Sequence, residues 1–316
     1  MFSGSMVALV TPMHTDGAVD WDSLEQLIEW HIQSGTDAIV SVGTTGESAT
    51  LNFDEHKAVI RFTVEMVKKR VPVIAGAGGN ATREAIELTF SAYHGGCDAT
   101  LQVTPYYNKP PQRGLYAHFE QVAHAVPLPV ILYNVPGRTG CDLLPETTAA
   151  LAKIKNIVGI KEATPLTRLR ELLPLFPRGS DFKIFSGEDG ICCEAANEGL
   201  IDGVISVTAN LAPAQMAAMM RHALKGEAQA ANAINDSLAA LHTQLFVEAN
   251  PIPAKWAMQR IGKIQGGIRL PLLPFAHRFR SAQISKAKDI YVSTHRTRHS
   301  PELETLTTAP NKILSP

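Results

Sequence analysis

Three observations predict an α/β protein folded as a (β/α)8 TIM barrel with a C-terminal helical appendage. Eight short apolar runs rich in Val and Ile recur along the chain, a helical pattern separates each from the next, and the runs lack the polar alternation of a sheet with one wet face. The first strand is expected at residues 7–10, followed by a turn at Thr15-Asp16-Gly17. The first helix should open on the capping-box pattern Asp22-x-x-Glu25, carry Leu24, Leu27, Ile28 and Ile32 on one face, and stop at Gly35. The second strand is expected at 38–42. Its helix starts at Asn52, with Glu55 three residues on and Val59, Phe62, Met66 and Val67 turned inward. Further strands are expected at 71–75, 99–103, 130–133, 157–161, 182–185 and 204–207, with a helix at 212–225 after the last.

Three more helical patterns follow, at residues 227–246, at 254–261 after Asn250-Pro251-Ile252-Pro253, and at 276–290 after a Pro-rich turn at 270–274. The organisation expected is a barrel over 1–226, a helical region over 227–292 and a loose tail over 293–316. That tail holds the basic run His295-Arg296-Thr297-Arg298-His299 and Pro301, Pro310 and Pro316.

Composition removes several function classes. The 29 Lys and Arg balance 30 Asp and Glu, so no electrostatic case exists for nucleic acid or an anionic membrane as a partner. No apolar run is long enough to span a bilayer, and the start, Met1-Phe2-Ser3-Gly4-Ser5-Met6, lacks the basic region of a secretory signal. A cytoplasmic location is expected. Cys97, Cys141, Cys192 and Cys193 form no C-x-x-C pair and are expected as reduced thiols. The histidines form no H-E-x-x-H motif, so no metal is expected. Gly76-Ala77-Gly78-Gly79 lacks dinucleotide-binding spacing and reads as a tight turn, and no Walker A lysine or G-x-S-x-G serine occurs. No cofactor is expected.

In a barrel of this kind, function collects at the C-terminal ends of the strands. Strand two ends in Gly43-Thr44-Thr45-Gly46-Glu47-Ser48, strand four in Thr104-Pro105-Tyr106-Tyr107-Asn108, and strand five in Tyr133-Asn134-Val135-Pro136-Gly137-Arg138-Thr139. Strand seven ends in Ser186-Gly187-Glu188 and strand eight in Ser206-Val207-Thr208. Strand six, Val158-Gly159-Ile160-Lys161, ends in a lysine. A buried ammonium must find an anion or lose its proton, and a neutral amine attacks carbonyl carbon to start Schiff-base catalysis. The residue type alone also fits a lysine that reaches water or pairs with Glu162. The convergence of polar groups favours the chemistry. Lys161 would hold a ketone as an iminium, which acidifies the neighbouring carbon, and the hydroxyls of Tyr133, Thr44 and Tyr107 can pass the protons. Arg138 offers a fork for a carboxylate, and the amides around Gly43 and Gly46 can form a small anion nest.

Taken together, these motifs resemble the pyruvate-dependent class I aldolases, the family that includes dihydrodipicolinate synthase and N-acetylneuraminate lyase. The resemblance rests on Gly43-Thr44-Thr45-Gly46-Glu47, on Tyr133-x-x-Pro136 and on Gly159-Ile160-Lys161-Glu162, and runs from about residue 5 to 275. Thr104-Pro105-Tyr106-Tyr107-Asn108-Lys109-Pro110, Ile205-Ser206-Val207-Thr208-Ala209-Asn210 and Arg138 after Tyr-x-x-Pro resemble the dihydrodipicolinate synthase branch. That branch implies condensation of pyruvate, bound as a Schiff base on Lys161, with L-aspartate-4-semialdehyde to give 4-hydroxy-tetrahydrodipicolinate, the committed step to diaminopimelate and lysine.

It implies Tyr133, Thr44 and Tyr107 as a proton relay, with Tyr107 lent by a neighbouring subunit of a homotetramer built as a dimer of dimers. Thr45, Ile205 and Gly187 fall among the substrate-binding residues, with Arg138 as the carboxylate anchor. Ser48, Ala49, His56, Asn80, Glu84 and Tyr106 match a feedback site for L-lysine. Phe53 stands where sensitive relatives often carry histidine, which implies weaker inhibition. The tail beyond about Pro274 matches no family pattern. Two other readings stand beside this one: a pyruvate aldolase of different aldehyde choice, such as an N-acetylneuraminate or 2-keto-3-deoxy sugar acid lyase, and a barrel that binds a keto acid without turnover. The presence of both Lys161 and Tyr133 argues against the last.

Overall fold

The computed structural model describes residues 2–276. Eight parallel strands, β1 (Gly4–Ala8), β2 (Ala38–Ser41), β3 (Val73–Gly76), β4 (Ala99–Val103), β5 (Val130–Asn134), β6 (Ile157–Glu162), β7 (Lys183–Ser186) and β8 (Gly203–Ser206), close in chain order into one barrel. Around it lie α1 (Trp21–Gln33), α2 (Phe53–Val67), α3 (Thr82–His94), α4 (Gln112–Ala125), α5 (Pro136–Thr139), α6 (Pro145–Leu151), α7 (Leu166–Leu172), α8 (Asp189–Asn197) and α9 (Pro213–Leu224). After them come α10 (Ala228–Gln244), which packs on α8 and α9, and α11 (Ile252–Arg260). The helix expected over 276–290 and the tail over 293–316 fall outside the described residues.

The eight expected strands and the helices between them are present, with local corrections. β1 starts at Gly4 rather than at residue 7 and pairs with β8 from Gly4↔Gly203 to Val7↔Ser206. The apolar run continues past the ladder because other groups satisfy its amides: Leu9 N donates to Val40 O, and Val10 N to Asn210 Oδ1 at 3.0 Å. Asn210 also donates to Ala8 O at 2.8 Å, so one buried amide ties the end of β1 to the turn after β8. The cap of α1 is Asp20, not Asp22: its Oδ1 accepts from Ser23 N at 3.0 Å. The capping box of Asn52 and Glu55 on α2 is formed as expected. Pro72 has no amide to give, and β3 accordingly begins at Val73, whose N–H goes to Asp98 Oδ2 at 2.9 Å.

Strands covered on both faces build two cores. Met6, Val40, Ile74, Ile131, Phe185 and Ile205 fill the barrel interior, while Leu132, Ile160, Ile184 and Val204 pack outward under the helices. One irregularity sets the phase of β6. Val130 pairs with Ile157 but Ile131 pairs with Gly159, so Val158 is an extra residue against β5. Ile157 and Ile160 consequently both lie in the outer core, Val158 packs on the inner one, and Lys161 enters the barrel.

The C-terminal segment is fastened to the loop after β2 by charge. Lys255 on α11 and Glu47 are both almost fully buried and form an ion pair. Burial pushes the Lys255 ammonium down and Glu47 pulls it back up. Nearby, Arg269 grips Glu55 with two guanidinium nitrogens, at 2.7 and 2.6 Å, and donates to Gly17 O and Thr50 O. Breaking a buried pair strands the other charge, which is the expensive outcome. Lys255→Met should therefore destabilise the fold by about 3–5 kcal/mol, and the double variant Glu47→Gln/Lys255→Met should recover most of that. Urea unfolding midpoints of the three proteins check this, and equal loss in single and double variants would contradict it.

Candidate active site

The C-terminal ends of the strands surround a recess with ≈ 480 Å³ of empty volume. Its walls include Thr44, Thr45, Tyr133, Arg138, Lys161, Gly187, Glu188 and Asn250. Lys161 is 94% removed from solvent, and its ammonium nitrogen lies 4.4 Å from the centroid of the Tyr133 ring. The contact follows from the ladder, because Lys161 pairs with Tyr133 on one side and with Phe185 on the other. Gly187 explains itself sterically. A Cβ there would stand 2.9 Å from Lys161 Cε and 2.8 Å from the Ala163 methyl, so only glycine leaves room for the lysine stem.

Thr45 is buried, and its hydroxyl accepts from Asn250 Nδ2 at 2.9 Å. Arg138 stands on the short helix α5, opened by Pro136, and its NH2 donates to Asn250 O at 3.4 Å. Asn250 thus reaches two of the expected binding residues from the C-terminal region, and Phe246 joins it on the wall. The Thr44–Thr45 loop is flanked by two non-glycine residues at positive φ, Val42 at 56° and Glu47 at 59°.

Two expected site residues lie elsewhere in this chain. Ile205 is fully buried in the barrel interior and does not line the recess, so any part it plays there goes through its backbone. Tyr107 is 88% exposed, does not line its own recess and holds a left-handed backbone at φ 74°. Bulky residues occupy that region only where the surroundings impose it. The imposing contact is Tyr107 N to Thr139 O at 3.1 Å.

Of the expected lysine-site residues, Asn80, Tyr106 and Glu84 lie together. Asn80 Nδ2 donates to Tyr106 O at 3.3 Å, and Asn108 Nδ2 donates to Asn80 O at 2.9 Å. The Tyr106 hydroxyl is pushed up by burial and by the nearby Glu84 carboxylate. His56 is buried and spends its Nε2 proton on Gly76 O at 2.7 Å. Burial and Lys57 hold its imidazole down, against the Gly76 bond. Phe53 carries the Lys57 ammonium over its ring, 4.0 Å from the centroid. Ser48 is half-buried and Ala49 exposed on the loop after β2.

Sequence reasoning missed the polar cluster behind Lys161. Glu162 faces outward beside it, and Asn134 Nδ2 bridges Glu162 Oε1 at 2.9 Å and Asp142 Oδ1 at 2.7 Å. Arg168 closes on Asp142 with two bonds, at 3.1 and 2.8 Å. Burial pushes the Glu162 carboxyl up to about 7, against the nearby Thr164 hydroxyl and the bond from Asn134. Glu188, Asn250 and Phe246 were missed as wall residues. Glu188 directly follows Gly187 at the strand-seven mouth, and Asn250 opens the motif Asn250-Pro251-Ile252-Pro253, so a signal for both was present. Among the described residues, no group of three or more His, Cys, Asp and Glu is placed to hold a metal ion. No helix among them is long and apolar enough to cross a membrane.

The fold and its lysine-bearing recess define a (β/α)8 barrel equipped for carbonyl chemistry at the strand C-termini. The chain belongs to the dihydrodipicolinate synthetase family, which matches residues 1–289. It is 62% identical to the 4-hydroxy-tetrahydrodipicolinate synthase of Dichelobacter nodosus over 297 residues, 93% of this chain and 100% of the relative. The solved chloride-inhibited dihydrodipicolinate synthase of Acinetobacter baumannii, complexed with pyruvate, superposes with a TM-score of 0.89 at 51% identity, covering 92% of this chain and 99% of that one. The enzyme of Cyanidioschyzon merolae, solved with lysine bound, gives 0.86 at 38% identity over 93% and 98% of the two chains.

The raised Glu162 carboxyl has a sign that can be measured. Above the ordinary value of 4.5 an unfolded Glu162 has lost its proton, while the folded one keeps it up to about 7. The folded state then binds more protons, so this residue's contribution to stability falls as pH rises through that window, by up to about 1.4 kcal/mol per pH unit. Glu162→Gln should gain stability relative to wild type as pH rises from 4.5 to 7, read from urea unfolding at a series of pH values. Parallel curves would show that Glu162 is ionised in the fold.

Proposed function

We propose that this protein is a 4-hydroxy-tetrahydrodipicolinate synthase, condensing pyruvate with L-aspartate-4-semialdehyde at the committed step to diaminopimelate and lysine. The observation that carries the reading is Lys161, buried against the Tyr133 ring in a recess that Arg138 overlooks. The family membership and the 62% identity to a synthase support it. The Lys161 amine adds to the ketone of pyruvate, water leaves, and the iminium acidifies the methyl group. Loss of a methyl proton gives an enamine, whose carbon attacks the aldehyde. The amine of the second substrate then closes the ring and releases Lys161.

Tyr133 and Thr44 are the hydroxyls on the recess wall able to pass these protons. Thr45, Gly187 and the backbone of Ile205 hold the pyruvyl group, and the Arg138 fork takes the carboxylate of the aldehyde. The exposed Tyr107 reaches the relay of a neighbouring subunit in a homotetramer, a dimer of dimers. The enzyme works in the cytoplasm. No cofactor takes part, because the Schiff base on Lys161 supplies the electron sink.

Borohydride with pyruvate should add mass to the peptide that holds Lys161. Recovery of the adduct on Lys153, Lys155 or another lysine would sink the mechanism. Lys161→Ala should lose essentially all turnover and remain folded by circular dichroism. Turnover with aspartate-4-semialdehyde, against N-acetylneuraminate and 2-keto-3-deoxygluconate as controls, separates the synthase from the lyases.

The group around Asn80, Glu84 and Tyr106, with Ser48, Ala49 and His56, is the lysine feedback site in this reading. Glu84 takes an ammonium of the ligand. Coupling of about 1–3 kcal/mol between that site and the recess is expected. Phe53 has no hydrogen bond to offer, so inhibition should be partial and not competitive with pyruvate. Glu84→Thr should abolish it while leaving the uninhibited rate nearly intact. An unchanged wild-type rate in millimolar lysine would show the site to be vestigial.

A further inference from the structure

We propose that Glu188 receives the α-ammonium group of the aldehyde substrate, so that Arg138 and Glu188 together select an amino-acid aldehyde over a plain acid aldehyde. The inference rests on the reading of the recess as a pyruvate–aldehyde condensation site and adds a specificity residue to it. Among the described residues Glu188 is the one carboxylate on the recess wall, exposed at its mouth, and the other charged residues there are Lys161 and Arg138. Both cations act on it electrostatically, with Asp189 acting in the opposite sense, and among the described residues it forms an ion pair with neither cation. No side chain among them donates a hydrogen bond to its carboxylate. Its backbone is fixed instead: Glu188 N donates to Ser186 Oγ at 3.1 Å, and that hydroxyl donates to Glu188 O at 3.0 Å. The next residue, Asp189, is not available for the same task, because its Oδ2 accepts from Val207 N and Thr208 N, each at 2.9 Å, in the buried core.

A carboxylate in this place works against the site if only keto acids and acid aldehydes enter. Each brings a negative charge, and like charges at close range repel. The conflict disappears when the second substrate carries a cation. Aspartate-4-semialdehyde has a carboxylate and an ammonium on one carbon, the complement of a wall that offers a guanidinium and a carboxylate. An ammonium that meets Glu188 also leaves the aldehyde end free to face the enamine on Lys161.

The test compares two aldehydes that differ only in the ammonium: aspartate-4-semialdehyde as substrate and 4-oxobutanoate as competing ligand. Glu188→Gln should raise KM for aspartate-4-semialdehyde by about 10- to 100-fold, the range for a lost charged hydrogen bond. The inhibition constant of 4-oxobutanoate should change by less than about 3-fold, on the ground that its binding never used Glu188. Borohydride trapping of pyruvate should proceed as in wild type, and Glu188→Asp should recover part of the lost affinity. An unchanged KM for aspartate-4-semialdehyde overturns the proposal, and so does an equal rise for both aldehydes, which would assign Glu188 to the shape of the wall. Failure of the wild-type enzyme to turn over aspartate-4-semialdehyde while still trapping pyruvate would remove the functional reading itself, and it is seen before any variant is made.

Discussion

The pairing of β5 with β6 is the constraint on which the rest of the site depends. On the inner face of that pair Lys161 meets Tyr133, and on the outer face Glu162 meets Asn134. The same two rungs therefore carry the reactive amine and the polar cluster that fixes its strand. Asn134 is the hub of that cluster: besides its two donated bonds, its Oδ1 accepts from Leu143 N at 3.0 Å, and Asp142 passes the connection on to Arg168. A buried carboxyl and amide at this position cost desolvation, and their hydrogen bonds offset it only when strand and loop stand in one arrangement. The outer cluster thus specifies the geometry in which the inner pair meets.

The C-terminal helices impose a second constraint. Asn250 binds Thr45 and Arg138 at once, and Lys255 reaches the buried Glu47 two residues beyond Thr45. The loop after β2 is then held from both sides, by the barrel below and by α11 above. This explains how a loop flanked by left-handed Val42 and Glu47 keeps one conformation. Local strain persists where surrounding contacts over-determine the backbone, and a buried ion pair at the strained residue does so directly.

Much of this architecture was legible in the sequence because barrel strands are buried on both faces and stand out as apolar runs. The position of β4, the capping box at Asn52 and the gathering of Thr44, Tyr133, Arg138 and Lys161 at one mouth follow from periodicity and from the strand-end rule. What was not legible depended on contacts between residues far apart in the chain. Asp20 and not Asp22 is the cap because α1 already begins at Trp21, just after the bridge between Met13 and Val19. Asn250 lies 205 residues from Thr45, and no local pattern announces that bond. Ile205 joins the recess on resemblance and Tyr107 on its place at the end of strand four, whereas the Ile205 side chain lies inside the barrel and Tyr107 is exposed. The apolar composition of Val158 and Ile160 does not reveal which of them faces inward, since both faces of β6 are dry.

That last ambiguity has a consequence for how this site can change. Side chains alternate along a strand, so the face that Lys161 presents is a matter of parity, and the extra residue Val158 is the one break in that alternation, placing Ile157 and Ile160 both outward. Deleting one residue there would leave every side chain named in the recess present in the chain. It would also leave Lys161 in the barrel, because without Val158 the pairs Val130–Ile157 and Ile131–Gly159 form a regular ladder and Lys161 still stands opposite Tyr133. The bulge is thus a spare residue, and β6 can lose it with the same face of the strand presented to the recess. The inward face of the reactive amine is held by its rung opposite Tyr133, not by the count of residues that precede it in the strand.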